Sequence, residues 1–471
     1  MQHVGQEGEA RTSSESKLVP TASAVLADGR LVEMLYRPES GSTALAVWDG
    51  ARIGITHDLA LPSGERLVPY RGDNPLLTNR VVLFPSEPGD PGESLVAEIA
   101  EYLHRYVDLS LQFERLAVEY VLFSWVYDRF QELPYLRLHG EYGSGKTRFL
   151  QVLGAICRTP IFAGGASTVS PLFHLLDRFR GTLVLDEADF RFSDERAQLV
   201  KILNNGNVQG FPVLRSESVN GREYRPVAYH VYGPKIVAMR GEFDDRALES
   251  RFISERSDGR AIRSDIPLNL PKAQAEEAQQ IRNKLLMYRF RRFADTGSWI
   301  EPVDRALEPR INQVFSPLLA NIEDDATREL LRTYARSKSG LLAEERSTTV
   351  EADVLAVLRH LNSETATLAL SEIADLYSRA VLPQGLPVSA RYVGGILRKR
   401  LGLRPRKSNG VYVIPPLERG KLGFLFDRYH VTEDDVARVA AIDTTRALEL
   451  TFEPIPPGDF GDIGDVASSL R

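Results

Sequence analysis

Pro134–Ile156 reads PYLRLHGEYGSGKTRFLQVLGAI, and three kinds of local structure follow from it in order. PYLRLHG has the apolar run of a strand that ends in glycine, and KTRFLQVLGAI has the spacing of a helix that leaves the glycines behind. Between them stands GEYGSGKT, Gly140–Thr147, which fits the pattern GxxxxGKS/T. Closely spaced glycines (Gly140, Gly143 and Gly145) let successive backbone N–H groups converge on phosphate oxygens, and the positive end of the following helix adds to their pull. Ser144 and Arg148 belong to the same phosphate-binding stretch. Lys146 is placed to contact β- and γ-phosphates, and the Thr147 hydroxyl is a hard oxygen ligand suited to Mg²⁺. ATP and Mg²⁺ are the expected cofactors.

A second buried strand, TLVLDEAD, Thr182–Asp189, ends in acids. Asp186 stands where a carboxylate holds Mg²⁺, and Glu187 is the expected base that orients and polarises an attacking water. Asp189 either joins them or caps the next helix. PKIVAM, Pro234–Met239, reads as a third strand. Strands alternating with helices imply an α/β fold with a largely parallel sheet.

At 471 residues, with 43% hydrophobic content, the chain has material for two to four domains. Residues 1–20 read as a disordered lead. Residues 21–92, with the β-type runs LVEMLYR, TALAVWD and RVVLF, read as a small β-rich domain, and 93–132 as a helical lead-in. The nucleotide-binding core spans 133–258, a helical lid 259–345, a winged helix-turn-helix 346–416, and an extension with a flexible tail 417–471. No stretch approaches the roughly 20 apolar residues of a membrane span, and the first residues lack the apolar core of a signal peptide, so a cytoplasmic protein is expected. The net charge of −6 leaves local basic patches open. The single cysteine, Cys157, makes no intramolecular disulfide and reads as a small buried hydrophobe.

The segment after the acidic strand continues with a helix, DERAQLVKILNNG, and with FPVLRSESVNGREYRPVAYHV, whose Asn220-Gly221 step is a hairpin signal. With the phosphate loop, this resembles the AAA+ ATPases over roughly Leu133–Ala335, and within them the helicase-like branch with a hairpin before the third core strand. The resemblance implies a hairpin projecting into the channel of a hexamer, with Arg215, Arg222 and Arg225 as contacts to single-stranded DNA. FDDRALESRF, Phe243–Phe252, is similar to the MCM segment in which a Ser-Arg-Phe step supplies an arginine finger. Arg251 matches that arginine and Arg246 is the alternative; a salt bridge to local acids is the competing reading. In the family a polar residue, usually Asn, ends the strand matching PKIVAM, whereas this chain runs into Arg240, which stands in for it. Arg310 in EPRINQVFSPLL is the best-placed match to the second sensor, with a surface arginine as the plain alternative. LDEAD also matches DEAD-box RNA helicases over Asp186–Asp189, but 40 residues from Lys146 to Asp186 (146 to 186) is short for that class and suits superfamily-three viral helicases.

Beyond Thr348 three helical runs precede RPRKSNGVYVIPP, two short β-runs about Asn409-Gly410, the pattern of a winged helix. Arg391, Arg398, Lys399, Arg400, Arg404, Arg406 and Lys407 concentrate on its third helix and wing, a pattern suited to duplex DNA. The order of domains resembles MCM-like helicases of mobile elements and phages. The implied function is an ATP-hydrolysing DNA motor, a ring-forming helicase or translocase. The alternatives are a DNA-binding ATP switch acting in transcription, transposition or phage defence, and a scaffold ATPase whose winged helix binds protein.

Overall fold

The computed structural model describes residues 17–165, 167–186, 193–219, 223–243, 245–257, 263–294, 303–305, 307–362, 368–382 and 387–451. The chain divides into two compact units, Met1–Arg336 and Ser337–Arg471. At the centre of the first lies a five-stranded sheet in the order Phe252–Arg256, Tyr135–His139, Lys235–Met239, Leu183–Leu185, Ile161–Ala163, every neighbouring pair parallel. Lys235–Met239 and Leu183–Leu185 are buried throughout, as strands covered by helices on both faces must be. This is a mixed α/β architecture compatible with a P-loop fold. Lys235–Met239 and Leu183–Leu185 stand where their apolar runs predict. The two edge strands escape sequence reading because one is three residues long and the other, FISER, is half polar.

Chain order and spatial order differ in a way that matters. From Tyr135–His139 the chain crosses through helix Lys146–Ile156 to the far edge at Ile161–Ala163, returns strand by strand, and then jumps past its starting strand to Phe252–Arg256. Such a reversal opens a crevice at the carboxyl ends of the strands, beside the first strand and its loop. Helix Lys146–Ile156 packs tightly enough on the sheet that a Cβ at Gly154 would come within 2.9 Å of Val184. Cys157 is buried, as expected, and burial pushes its thiol up to about 12.

The N-terminal segment forms a four-stranded antiparallel sheet, ordered Ser23–Val25, Leu31–Arg37, Ser42–Trp48, Ile53–Thr56, and a small three-stranded sheet. Its predicted third run, RVVLF, is not one of these strands. Val82 bridges Ile161 at the edge of the core sheet instead, and Phe162 N donates to Val81 O at 2.9 Å. The segment is joined to the core through a buried charge cluster. Glu33 on the second strand meets Arg158 at 3.0 Å and Arg289 at 2.6 Å, and both arginines also meet Asp128.

Arg289 belongs to helix Lys272–Ala294, within the stretch read as a lid. This helix is held from two sides. Phe290 stacks on Trp48 at 5.9 Å and Gly89 N donates to Asn283 O on one side, while Arg282 donates to Ala155 O of the loop helix on the other. Its strongly charged sequence hid these contacts, because Arg282 and Arg289, which look like surface residues, are buried and paired.

Helix Leu111–Ser124 carries the buried Glu119. Burial first, then the nearby charges of Asp324 and Glu323, raise its carboxyl from 4.5 to about 7. A carboxyl whose folded value is raised costs stability as pH climbs above its unfolded value. Glu119→Gln is therefore expected to change stability little at pH 4 and to increase it by roughly 2–3 kcal/mol at pH 8, read from urea midpoints at the two values.

In the second unit, helices Val350–Leu361, Leu370–Val381 and Ala390–Lys399 are followed by the antiparallel strands Arg406–Ser408 and Val411–Val413. Asn409 and Gly410 turn the hairpin with φ of 47° and 86°, the left-handed geometry for which Asn-Gly is suited. The core does not end at residue 416. Leu422, Leu425, Val431 and Val439 pack with Val354, Ile373 and Leu397, and helix Glu433–Thr451 pairs Asp443 with His360 and Arg379. Residues 452–471, read as a flexible tail, lie outside the described residues.

Candidate nucleotide site and nucleic-acid surfaces

The strand Tyr135–His139 ends in a loop whose path glycine permits. Gly143 and Gly145 take φ of 76° and 83°, where a side chain would be strained, and Gly145 caps helix Lys146–Ile156. Lys146 folds back into the loop: its Nζ donates to Gly140 O and Glu141 O, both at 2.6 Å, and to Ser144 Oγ at 3.3 Å. Thr147, one residue on, projects toward the acidic strand. Its Oγ1 donates to Asp186 Oδ2 at 2.8 Å. The strands that carry these two residues are separated by Lys235–Met239, a gap of about 10 Å at ordinary strand spacing, so the first helical turn is what brings them together.

A hydroxyl and a carboxylate side by side at a helix N-terminus form an all-oxygen donor pair next to an anion-binding end. That pair fits Mg²⁺, which takes one or two protein oxygens and fills its remaining positions with phosphate oxygens and water. Glu187 and Asp189 lie outside the described residues. Arg148 turns aside from the loop and donates to the carbonyls of Pro267 and Leu268. Arg240 stays with it: its guanidinium lies 3.6 Å from the ring centroid of Tyr142, a loop residue, and donates to the Tyr142 hydroxyl. Sequence reading passed over Tyr142, although an aromatic at a variable position of GEYGSGKT was the signal.

Beside this edge opens a cleft of about 310 Å³ lined by His104, Asp108, Leu109, Leu111, Glu114 and Arg263. Three contacts tie it to the strand and helix that flank the phosphate loop. Ser110 N donates to Glu255, which is in register with Leu138; Phe113 packs on Phe149; and Arg148 holds the segment that follows Arg263. No sequence motif marks these residues, because they converge from distant segments.

Arg251 sits at the opposite end of the sheet. Its carbonyl accepts from Tyr135 N, at the first residue of the loop-bearing strand, so about 16 Å of strand separates it from its own phosphate loop. The preceding segment is clamped by a bidentate ion pair between buried Arg137 and Glu249, with both bonds at 2.7 Å. Arg251 Nη1 donates to Asn204 O at 3.0 Å and to Asn204 Oδ1, while Nε is buried without a partner among the described residues. Arg310 is next to it and not at the phosphate loop, its Nε donating to Ser250 Oγ at 3.2 Å. Burial first, then the Arg310 charge, lower the Arg251 group below its usual value. The side chain of Arg246 lies outside the described residues.

The hairpin pairs Val213–Val219 with Glu223–Tyr229. Arg225 is exposed, and Arg222 and the Asn220-Gly221 turn lie outside the described residues. Arg215 is half-buried at the hairpin's base, with its guanidinium 4.5 Å from the centre of the Phe173 ring, so it packs where a DNA contact was expected. The exposed aromatic near the turn is Tyr224.

On the second unit all seven predicted cations, Arg391, Arg398, Lys399, Arg400, Arg404, Arg406 and Lys407, are exposed. Arg400 pairs with Glu351 at 3.2 Å. Tyr392 and Tyr412 stand exposed among them, with Tyr412 opposite Lys407 in the hairpin. Among the described residues no helix is long and apolar enough to cross a membrane.

No protein-family model matches the chain, and no curated protein matches it. Among solved structures it is similar to two of the C-terminal region of NrS-1, at 10% and 11% identity and TM-scores of 0.34 and 0.33, each covering 81% of this chain and 96% of that one. It is also similar to the Aeropyrum pernix ORC1 protein in complex with DNA, at 18% identity and a TM-score of 0.21, covering 71% of this chain and 96% of that chain. Likeness of that size carries no weight for function, which rests on the geometry of Lys146, Thr147 and Asp186.

Proposed function

We propose that this protein is an AAA+ ATP hydrolase that acts on DNA as a ring-forming motor, a helicase or translocase built as a homo-hexamer. The observation that carries the nucleotide reading is the meeting of Thr147 and Asp186 beside a glycine loop that encloses Lys146. Lys146 exchanges the loop carbonyls for β- and γ-phosphate oxygens, and the free N–H groups of the helix N-terminus complete the cradle. Thr147 and Asp186 hold Mg²⁺, which supplies neutralising charge when bound. Glu187 orients the attacking water. The cleft at Asp108 and Glu114 takes the base, whose amino group suits carboxylate acceptors.

Arg251 lies too far from its own loop to serve it, which supports service to a neighbouring copy, with Arg310 at the same surface. Arg222, Arg225 and Tyr224 contact single-stranded DNA in the channel. The helix and wing of the second unit, a winged helix in this reading, bind duplex DNA through their cations. The hold of Asn204 on Arg251 within one chain favours a second reading, a DNA-binding ATP switch that does not unwind DNA.

The test is ATP turnover by the full chain with and without single-stranded and duplex DNA, paired with strand displacement. The motor predicts DNA-stimulated turnover, a loss of about 100-fold or more in Asp186→Asn, and displacement of an annealed strand. Turnover without displacement supports the switch; no turnover removes both. Arg398→Ala and Lys407→Ala are each expected to weaken DNA binding evenly across sequences and to lower the salt slope by about one.

A further inference from the structure

We propose that Tyr142 is a positioning residue that parks the Arg240 guanidinium at the mouth of the phosphate loop, and that Arg240 leaves the ring for the terminal phosphate of a bound nucleoside triphosphate. The proposal rests on the nucleotide reading above and adds a device that distinguishes tri- from diphosphate.

Arg240 is the first residue beyond strand Lys235–Met239, the strand between the loop-bearing strand and the strand that leads to Asp186. Gly140 N donates to Met239 O at 3.3 Å, so the start of the glycine loop and the root of Arg240 are held at one edge. The backbone of Arg240 therefore leaves the sheet between the strand that carries the glycine loop and the strand that leads to Asp186. The negative face of an aromatic ring attracts a cation, and the centre of the Tyr142 ring lies 3.6 Å from the guanidinium carbon.

Tyr142 is 71% exposed, so no packing demand explains an aromatic there. An exposed cation–π contact is weaker than a charge-assisted bond to a phosphate oxygen. A γ-phosphate between Lys146 and Arg240 wins the exchange, whereas a diphosphate, ending short of it, leaves Arg240 on the ring.

The experiment uses the full chain. Tyr142→Ala is expected to lower kcat for ATP about tenfold with KM within about twofold, because Arg240 is no longer delivered to the phosphate it must meet. Tyr142→Phe keeps the ring and should retain most of the turnover. Arg240→Ala should be as damaging as Tyr142→Ala, and the double variant no worse than either. In Tyr142→Trp, indole emission should change more with a non-hydrolysable triphosphate than with ADP. Wild-type kinetics in Tyr142→Ala, equal damage from Tyr142→Phe, additive losses in the double variant, or equal emission changes with the two nucleotides would each overturn the latch. If a fluorescent ATP analogue binds wild type and is lost in Lys146→Ala while any of these holds, only the latch fails. If wild type binds no such analogue, the nucleotide reading and the latch fail together.

Discussion

Replacing Arg251 with alanine is expected to lower ATP turnover by about 10³- to 10⁵-fold, the range that a finger arginine contributes to phosphoryl transfer. The expectation follows from position. Arg251 is joined through its carbonyl to the first residue of the loop-bearing strand, and the glycine loop follows its last, so the side chain has no route to its own loop. The Arg137–Glu249 pair fixes the segment that presents it, which makes the arginine a feature of one face of the subunit. In the proposed ring, a guanidinium on that face would neutralise charge developing on a neighbour's γ-phosphoryl group. Mixing Arg251→Ala with Lys146→Ala subunits should therefore restore part of the turnover, since an intact loop from one then meets an intact arginine from the other. Because Arg251 also donates to Asn204, each variant needs a thermal melt beside the assay. A stable, fully active Arg251→Ala protein would remove the shared site, and no recovery on mixing would make the arginine structural.

Glu33→Ala is expected to cost about 3–5 kcal/mol of stability, the usual penalty for leaving a buried charge without its partner. Glu33 is 4% exposed and receives Arg158 and Arg289, which are themselves buried. Its loss leaves two buried guanidinium groups to share Asp128. Glu33→Leu combined with Arg289→Met should cost less than Glu33→Leu alone, because it leaves Arg158 and Asp128 as a balanced pair. Denaturant midpoints of the single and double variants measure this, and equal midpoints for wild type and Glu33→Ala would contradict it. Burial opposes the charge of Asp128, but Arg289 and Arg158 outweigh it and hold the carboxyl below its ordinary 3.8. The stability this group contributes is fully present above that value and is lost as the pH falls below it.

Arg215 and Arg310 show where sequence reasoning stopped. Both lie in segments whose local pattern was read correctly, a hairpin and a helix, yet neither sits where its motif position implied. A motif places a residue on an element; which neighbour its side chain meets depends on the packing of that element. The run RVVLF failed for a related reason, since β-type composition does not say which sheet a segment joins, and Val82 joins the core.

What the sequence by itself determined is local. Gly143 and Gly145 set the loop's backbone, Asn409-Gly410 sets a turn, and apolar runs set the buried strands, each through φ preferences or burial within a few residues. Only the tertiary structure decided that Thr147 meets Asp186 from two strands away, that Arg240 lies on Tyr142, and that Glu33 gathers Arg158 and Arg289 into a buried cluster. Those contacts join residues distant in the chain, and the order in which the parallel strands assemble, which no local propensity encodes, selects them.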